Sequence, residues 1–239
     1  MRTIFSYNLA IAERYPTIRA GVTYATGLTN GPSPPELLEE YRREQQAATR
    51  RLEETPIADI ASIAAWRRAF TTFGVKPTQH RVAAEALLRR LQKAGDIPSI
   101  STLVDIGNLV SIRYGLPVAV LDQDTVTGAT TVRFAAGDES FTDLGSIEAV
   151  QPEPGEVIFV DDGNIVSARR WCWRQSSGSA TGPDSRHALI TVEGLHDGAD
   201  GDVVRATTDL QSLLRAYQPT AETTSQLLSA TTRTAAFGR

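Results

Sequence analysis

The chain has 239 residues, of which 41% are hydrophobic and 22% are charged, and its formal net charge is −4. The apolar fraction is enough for a buried core, and the acidic balance excludes a strongly basic nucleic-acid-binding protein. Cys172 is the only cysteine, which excludes an internal disulfide, and the lack of a long apolar run or a signal-peptide pattern predicts a cytoplasmic protein with no membrane partner.

The first 61 residues predict two strands and one long charged helix. Residues 3–9 and 17–26 alternate apolar with small or polar residues, as half-buried strands do. A Pro-rich loop then precedes a helix over about residues 36–54, whose many charges are typical of a solvated surface helix. We treat these elements as an N-terminal extension of the domain that follows.

Two further helices are predicted over residues 62–70 and 79–93, and the second has an apolar face opposite a basic one. The basic side chains in and just before it include Lys76, Arg81, Arg89 and Arg90. Such a face is commonly only solvated, but grouped cations also follow a phosphate backbone. These four residues are therefore the candidate RNA-binding residues.

Residues 99–122 predict a short helix, a tight break and a buried strand. Apolar residues recur every three or four positions over residues 103–112, as on one face of a helix. Gly115 can adopt the left-handed conformation that ends a helix, and Pro117 prevents its continuation. The apolar run that follows is short enough for a strand and ends at Asp122.

Strand patterns dominate the second half of the chain. They lie at residues 130–135, 156–161, 165–173 and 188–193, before a last helix at about 203–217. Helices come early and strands late, without strand–helix alternation, so the pattern predicts a single α+β domain over residues 1–217. We expect its helices to pack on a mainly antiparallel, layered β-sheet. Residues 218–239 are rich in Thr and Ala with few apolar anchors, which predicts a mobile tail.

Short motifs in the central stretch carry a resemblance to a known family. Asp105 and Asn108 lie in a VDxxN pattern, Gly115 and Pro117 in a G-x-P pattern, and Asp122 follows the next strand. In this order the motifs resemble the B3/B4 domain of the bacterial phenylalanyl-tRNA synthetase β-subunit. The resemblance extends over about residues 62–217, and the full length of the chain is similar to that of freestanding B3/B4 proteins.

In the synthetase this domain is an editing site, which hydrolyses the ester of tyrosine wrongly attached to phenylalanine tRNA. The resemblance therefore implies a tRNA-binding protein that edits mischarged aminoacyl-tRNA in trans, and not a complete tRNA ligase. An aminoacyl ester is already activated, so a positioned water and a polarised carbonyl suffice, without a metal or another cofactor. The alternatives are a non-catalytic module for tRNA and a pocket for a free amino acid or similar metabolite. DNA is not an expected partner.

The resemblance also implies roles for individual side chains. Asn108 and Glu193 are the candidate catalytic residues, and Glu193 aligns with the acidic residue that recognises the wrong amino acid in the synthetase. Asp105 and Asp122 are candidate substrate-binding residues. The motif residues Asp105 and Asn108 equally suit helix capping and turn stabilisation, and Glu193 also suits an exposed strand end.

Two regions depart from the synthetase pattern and leave the substrate and the reaction open. Ala119 stands where the synthetase has a histidine, and a small Gly-Gly turn is replaced by bulky residues. The candidate substrate-binding residues there are Arg170, Trp171, Trp173 and Arg174. On a continuous strand the two tryptophans would share one face, either stacking a base or apolar side chain or packing in the core. The arginines suit phosphate or carboxylate.

Overall fold

The computed structural model describes residues 2–238, with side chains from residue 3 onward. The helices are α1 (Leu9–Arg14), α2 (Pro35–Glu54), α3 (Ala61–Thr72), α4 (Ala83–Ala94), α5 (Thr102–Tyr114) and α6 (Ala199–Tyr217). The strands of the first half are β1 (Arg2–Tyr7), β2 (Arg19–Thr26), β3 (Val118–Asp122) and β4 (Thr130–Phe134). The later strands are β5 (Phe141–Thr142), β6 (Ala149–Val150), β7 (Val157–Val160), β8 (Val166–Arg169), β9 (Arg174–Gln175), β10 (Ala188–Gly194), β11 (Glu222–Ser229) and β12 (Thr234–Gly238).

The larger strands form two sheets. The first sheet has the order β12-β1-β4-β7-β8-β9, and the second has the order β11-β2-β10-β3. Neighbouring strands are antiparallel throughout, except for β1 and β4, which run parallel. The short strands β5 and β6 make a separate antiparallel pair. The predicted α+β fold with mainly antiparallel sheets is confirmed.

The two sheets pack face to face, and helices cover the far side of the second one. Tyr24 of β2 stacks on Phe237 of β12, with ring centroids 5.7 Å apart, so an aromatic contact joins the sheets. On the other face α6 lies so close to β2 that a Cβ at Gly21 would overlap the Thr207 hydroxyl. Helix α5 lies beside β3 and contacts α2, α4 and α6, which makes it the central helix of the layer.

The helix–break–strand predicted over residues 99–122 is confirmed as α5 followed by β3. Gly115 ends α5 with a φ of +65°, a conformation that glycine adopts without strain. The Ser62 hydroxyl donates a hydrogen bond of 2.7 Å to the Gly115 carbonyl, which ties this end of α5 to α3. Within residues 2–238 the structure has no helix that is both long and apolar enough to span a membrane.

The prediction of a mobile tail from residue 218 is wrong for most of that segment. Strand β11 pairs with β2 along its whole length, and β12 pairs with β1, so the segment supplies an edge strand to each sheet. Leu228 and Phe237 are buried, whereas most of the remaining side chains of β11 are partly or fully exposed. Few apolar residues are needed at such an edge, because the backbone hydrogen bonds supply much of the pairing.

The strand predicted over residues 165–173 is also shorter than expected. It ends at Arg169, and residues 170–173 form a turn that leads back into β9. Arg170 and Trp171 have φ values of +46° and +60°, a left-handed conformation that non-glycine residues seldom adopt. The two tryptophans therefore do not share a strand face: Trp171 is fully buried and Trp173 is half-buried.

Candidate functional site

The most unusual polar group between the two sheets is the carboxylate of Glu193 on β10, which is only 1% exposed. Its Oε1 accepts hydrogen bonds from the Tyr7 hydroxyl of β1 and from the Trp171 indole N–H, the latter at 2.9 Å. Burial raises the pKa of Glu193 to about 7, although both hydrogen bonds lower it. Among residues 2–238 no donor bonds to Oε2, so this oxygen is available to a ligand.

Glu193 lines a cavity of about 90 Å³, which we call the Glu193 cavity. Its walls come from Ala119 of β3, Phe159 of β7, Ala168 of β8 and the turn that contains Trp171. A water molecule takes up roughly 30 Å³ in the liquid, so the cavity has room for about three waters. It is therefore large enough for a positioned water beside a small organic group.

Two other titratable groups beside Glu193, the Cys172 thiol and the Tyr7 hydroxyl, remain protonated at neutral pH. Burial, followed by the Glu193 charge, raises the pKa of the Cys172 thiol well above its usual range. The same two causes raise the pKa of the Tyr7 hydroxyl. Cys172 is thus a protonated thiol and not an activated nucleophile. Of these three side chains, only Glu193 changes protonation near pH 7.

Trp171 forms the rigid wall of the Glu193 cavity. Its ring makes edge-to-face contacts with Tyr15 and Trp66, at centroid distances of 4.9 and 5.0 Å. Its backbone N–H donates to the Val157 carbonyl at 2.6 Å, while its indole N–H holds Glu193. Trp171 is therefore a core aromatic, one of the two alternatives that the sequence left open, and it also lines the Glu193 cavity.

A cluster of Arg170, Trp173 and Arg174, which we call the mouth cluster, lies at the rim of this cavity. The guanidinium carbons of the two arginines lie 4.5 and 4.8 Å from the Trp173 ring centroid, as in cation–π pairs. Arg170 also pairs with Glu156 at 2.9 Å, and Arg174 pairs with Asp143. Arg174 is the exposed cation of the cluster, whereas Arg170 and Trp173 are half-buried.

His80 joins the mouth cluster to the segment that precedes α4. Its ring meets Trp173 edge-on with centroids 4.6 Å apart, and its Nδ1 lies 3.2 Å from an Arg170 nitrogen. Burial, followed by the charge of Arg170, lowers the pKa of His80, so the imidazole is neutral at pH 7. The Ala83 N–H donates to the Cys172 carbonyl at 2.8 Å, which fixes the start of α4 against the turn.

Asn108 lines a different cavity, which we call the Asn108 cavity and which has a volume of about 220 Å³. Its walls are mostly apolar and come from α5, from β3 and from the exposed side chain of Leu144. Val118 and Gln175 line both cavities. The Gln175 amide donates to the carbonyls of Val120 and Ser179, at 2.8 and 2.7 Å. These two bonds fix the Gln175 side chain at the boundary between the two cavities. The structure thus places Asn108 and Glu193 in neighbouring cavities and does not bring them into one.

Asp105 and Asp122 lie outside both cavities and bond to neighbouring loops. Asp105 is fully buried and accepts hydrogen bonds from the Ser33 hydroxyl at 2.6 Å and from the Ile100 N–H at 2.9 Å. Asp122 accepts from the Ser185 hydroxyl and from the Asp124 N–H. These carboxylates hold the loop before α5 and the loop after β3, so they position the two elements that flank the cavities.

The four candidate RNA-binding residues lie on α4 or in the segment just before it. Lys76 and Arg90 are exposed, and Arg81 is half-buried. Arg89 pairs with the buried Glu85 at 2.7 Å, and Arg67 shares the same carboxylate oxygen at 3.3 Å. The structure therefore places Lys76 and Arg81 in the segment before α4 that reaches the mouth cluster, whereas Arg90 lies on α4 itself.

Three residues at this site were not among the site residues predicted from the sequence. Tyr7 bonds to Glu193, His80 contacts the mouth cluster, and Gln175 separates the two cavities. Tyr7 lies 186 positions from Glu193, and no local pattern links them. Among the described residues, no group of three or more His, Cys, Asp and Glu side chains is arranged to hold a metal ion.

Comparison with known proteins places this site in a family. A family model described as the B3/4 domain matches residues 65–211, which is more than half of the chain. The chain belongs to the B3/4 domain family. The match includes α4, α5 and the strands that form both cavities, so the resemblance inferred from the central motifs is confirmed.

The relatives of this B3/4 protein include β-subunits of phenylalanine–tRNA ligase. It is 40% identical to the Mycobacterium leprae subunit over 82 residues, which are 34% of this chain and 9% of that protein. It is 45% identical to the Neisseria gonorrhoeae subunit over 79 residues, 33% of this chain and 10% of the other. The chain thus spans about a tenth of the length of these relatives. A solved N-terminal fragment of the Pyrococcus horikoshii phenylalanyl-tRNA synthetase β-subunit is similar with a TM-score of 0.41 and 13% identity, covering 52% of this chain and 40% of that one.

Proposed function

We propose that this B3/4 protein binds aminoacyl-tRNA and hydrolyses, in trans, the ester that joins the amino acid to the tRNA. The observation that carries the proposal is the Glu193 cavity, where a buried carboxylate with a pKa of about 7 faces space for a water. A base with a pKa near the working pH is well matched to activating water. The names of the relatives support tRNA as the class of partner.

The proposed chemistry requires one proton transfer and one water. Glu193 accepts a proton from the water as its oxygen attacks the ester carbonyl. The bond from the carbonyl carbon to the ribose oxygen then breaks, and the proton passes to that oxygen. The products are a free amino acid and a tRNA with its terminal hydroxyl restored. The ester is already activated, so positioning and one base are sufficient.

The remaining candidates are proposed to hold the rest of the substrate. The mouth cluster offers the Trp173–Arg174 pair to the terminal nucleotide, with the half-exposed Arg174 side chain for phosphate. Asn108 is proposed to contact the part of the substrate that reaches its own cavity across Val118 and Gln175. Lys76 and Arg90, which are exposed, extend this surface for the tRNA backbone.

A second candidate function is binding without hydrolysis, of either a tRNA or a free amino acid. It is favoured by the separation of Asn108 from Glu193, because a catalytic pair would have to meet on one ester. In both candidates the site is the same, and we propose a cytoplasmic location, where charged tRNA is made and used.

The test is a panel of tRNAs, each charged with one radiolabelled amino acid, incubated with the protein. Hydrolysis predicts release of the label from at least one member, which is lost in Glu193→Gln. Glu222→Gln is the matched control, because Glu222 is an exposed residue of β11 that lines neither cavity. Filter binding with an intact label supports the second candidate. The absence of both binding and release across the whole panel contradicts both.

A further inference from the structure

We propose that the Glu193 cavity selects aminoacyl groups with small side chains, of the size of alanine or serine, and rejects aromatic ones. The inference rests on the proposed function and adds the substrate class to it. It follows from the volume of the Glu193 cavity, from the rigidity of its walls, and from Gln175 and β3, which separate it from the larger Asn108 cavity.

The volume sets the first limit. The Glu193 cavity is open on one side and has a volume of about 90 Å³, whereas an apolar cavity of about 150 Å³ is the size known to hold a benzene ring. A phenyl or phenol ring therefore does not fit in the space that the walls leave. A methyl or hydroxymethyl group fits, and it leaves room for a water beside the ester.

Two walls of the cavity, Trp171 and Phe159, are fixed by aromatic packing, and Trp171 is also fixed by hydrogen bonds. Trp171 packs against two aromatic rings, and its backbone and indole N–H groups are both bonded. Phe159 is 1% exposed and packs against Phe5 at 5.4 Å. Enlarging the cavity by moving Trp171 would break its bond to Glu193 and leave a buried carboxylate less satisfied, which is costly. The cavity therefore keeps its volume when a ligand enters.

The barrier to the Asn108 cavity sets the second limit. A long side chain would reach that larger space only by displacing Gln175, whose amide makes two hydrogen bonds to buried or half-buried carbonyl groups. Strand β3 lies between the two spaces, and its Val118 lines both of them. An aromatic side chain thus has no second route beside Glu193.

Polarity favours the same class. The unoccupied oxygen of Glu193 can accept a hydrogen bond from an amino group or from a hydroxyl. Every aminoacyl ester offers the amino group, so volume separates the small esters from the aromatic ones, and among the small ones serine adds a hydroxyl. We therefore expect a preference for alanine and serine.

The experiment compares tRNAs charged with alanine, serine, phenylalanine and tyrosine, using the full chain. We expect the small aminoacyl esters to be hydrolysed about 100-fold faster or more than the aromatic ones, since even one misplaced methylene is worth 10- to 200-fold. Amide analogues, in which 3′-amino-3′-deoxyadenosine carries the same four amino acids, measure binding without turnover. The same ranking is expected for their affinities.

The outcomes separate the inference from the function beneath it. Hydrolysis or binding of aromatic substrates as readily as small ones overturns the inference and leaves the proposed function intact. Tight binding of the small analogues without hydrolysis of any ester supports the inference and overturns the proposed reaction. A lack of binding by all four analogues together with a lack of hydrolysis overturns both.

Two variants probe the walls directly. Ala119→Val adds methyl groups to the cavity and is expected to lower hydrolysis of small esters at least about tenfold, and Ala149→Val is the matched control because Ala149 is exposed in β6. Trp171→Phe widens the cavity and is expected to raise relative activity towards aromatic esters. Should Trp171→Phe not fold, Ala119→Val still decides, because full activity in that variant contradicts a limit set by volume.

Discussion

Replacing Glu193 by glutamine is expected to change how the stability of the protein depends on pH. Burial raises the pKa of Glu193 from the ordinary 4.5 to about 7 in the folded chain. Each pKa unit corresponds to about 1.4 kcal/mol, so ionising the folded carboxyl costs about 3 kcal/mol more than ionising it in the unfolded chain. Glu193→Gln removes this cost but keeps an oxygen that accepts the Tyr7 and Trp171 hydrogen bonds.

The sign follows from proton linkage. A carboxyl whose folded pKa is raised contributes stability that is fully present below pH 4.5 and is lost as the pH rises through 7. The unfolding free energy of Glu193→Gln, measured relative to the wild type, should therefore increase by about 3 kcal/mol between pH 4.5 and pH 8. Urea unfolding at closely spaced pH values measures this difference directly.

The control is Glu222→Gln, whose carboxyl is exposed and should follow the wild-type curve at every pH. A constant difference between Glu193→Gln and the wild type across pH 4.5 to 8 would refute the reasoning, because the buried carboxyl would then titrate like an ordinary one. A difference that decreases with pH would also refute it, since a carboxylate stabilised by its two donors gives that sign.

Three further predictions concern other parts of the molecule. Charge reversal at both Lys76 and Arg90 should lower tRNA affinity and reduce the slope of log affinity against log salt by about 2. Reversal at exposed Arg50 of α2 should leave the slope unchanged, and equal slopes in all variants contradict tRNA contact by the surface that carries Lys76 and Arg90. Gly107→Ala would place a Cβ 2.9 Å from a valine methyl of β3 and should lower the unfolding free energy in urea by about 1–3 kcal/mol, so a neutral effect contradicts the tight contact between α5 and β3. Cys172 should react much more slowly with a thiol reagent at pH 7.4 in the native protein than after unfolding, and equally rapid labelling of the native protein contradicts a thiol whose pKa is raised by burial.

The elements that local patterns could predict were those whose signals lie close together in the chain. Gly115 and Pro117 mark the end of α5 and the start of β3, and the structure has both within a residue or two of the prediction. The charged residues predicted α2 correctly as a helix, yet its buried face, with Tyr41, packs against α5. Periodicity gave the element, but the pairing of elements depends on contacts distant in sequence.

The two mistaken elements have physical reasons that no local pattern contains. Strand β11 is polar on most positions and is stabilised by the backbone of β2, about 200 residues away, so its sequence resembles a tail. The turn after Arg169 depends on left-handed backbone at Arg170 and Trp171, which is unfavourable unless the surrounding packing imposes it. Buried aromatic contacts of Trp171 supply that constraint, and they arise only once the sheets have come together.

The candidate site was predicted in part for the same reasons. The family motifs identified Glu193, Asn108 and the tryptophans, and the roles of these residues remain predictions. Sequence alone did not indicate that Tyr7 and Trp171 would share one oxygen of Glu193, nor that Gln175 would close the space towards Asn108. These contacts set the pKa and the volume of the cavity, and thus the chemistry proposed for it.

The most direct test of that chemistry is the single-turnover rate of amino-acid release from alanyl- or seryl-tRNA, corrected for spontaneous hydrolysis, at pH 6 and at pH 8. Because Glu193 must be ionised to accept a proton and has a pKa of about 7, the wild-type rate should rise about tenfold between these values. Glu193→Gln should show no release above the spontaneous rate at either pH. Release by Glu193→Gln at the wild-type rate would contradict the assignment of this carboxylate as the base.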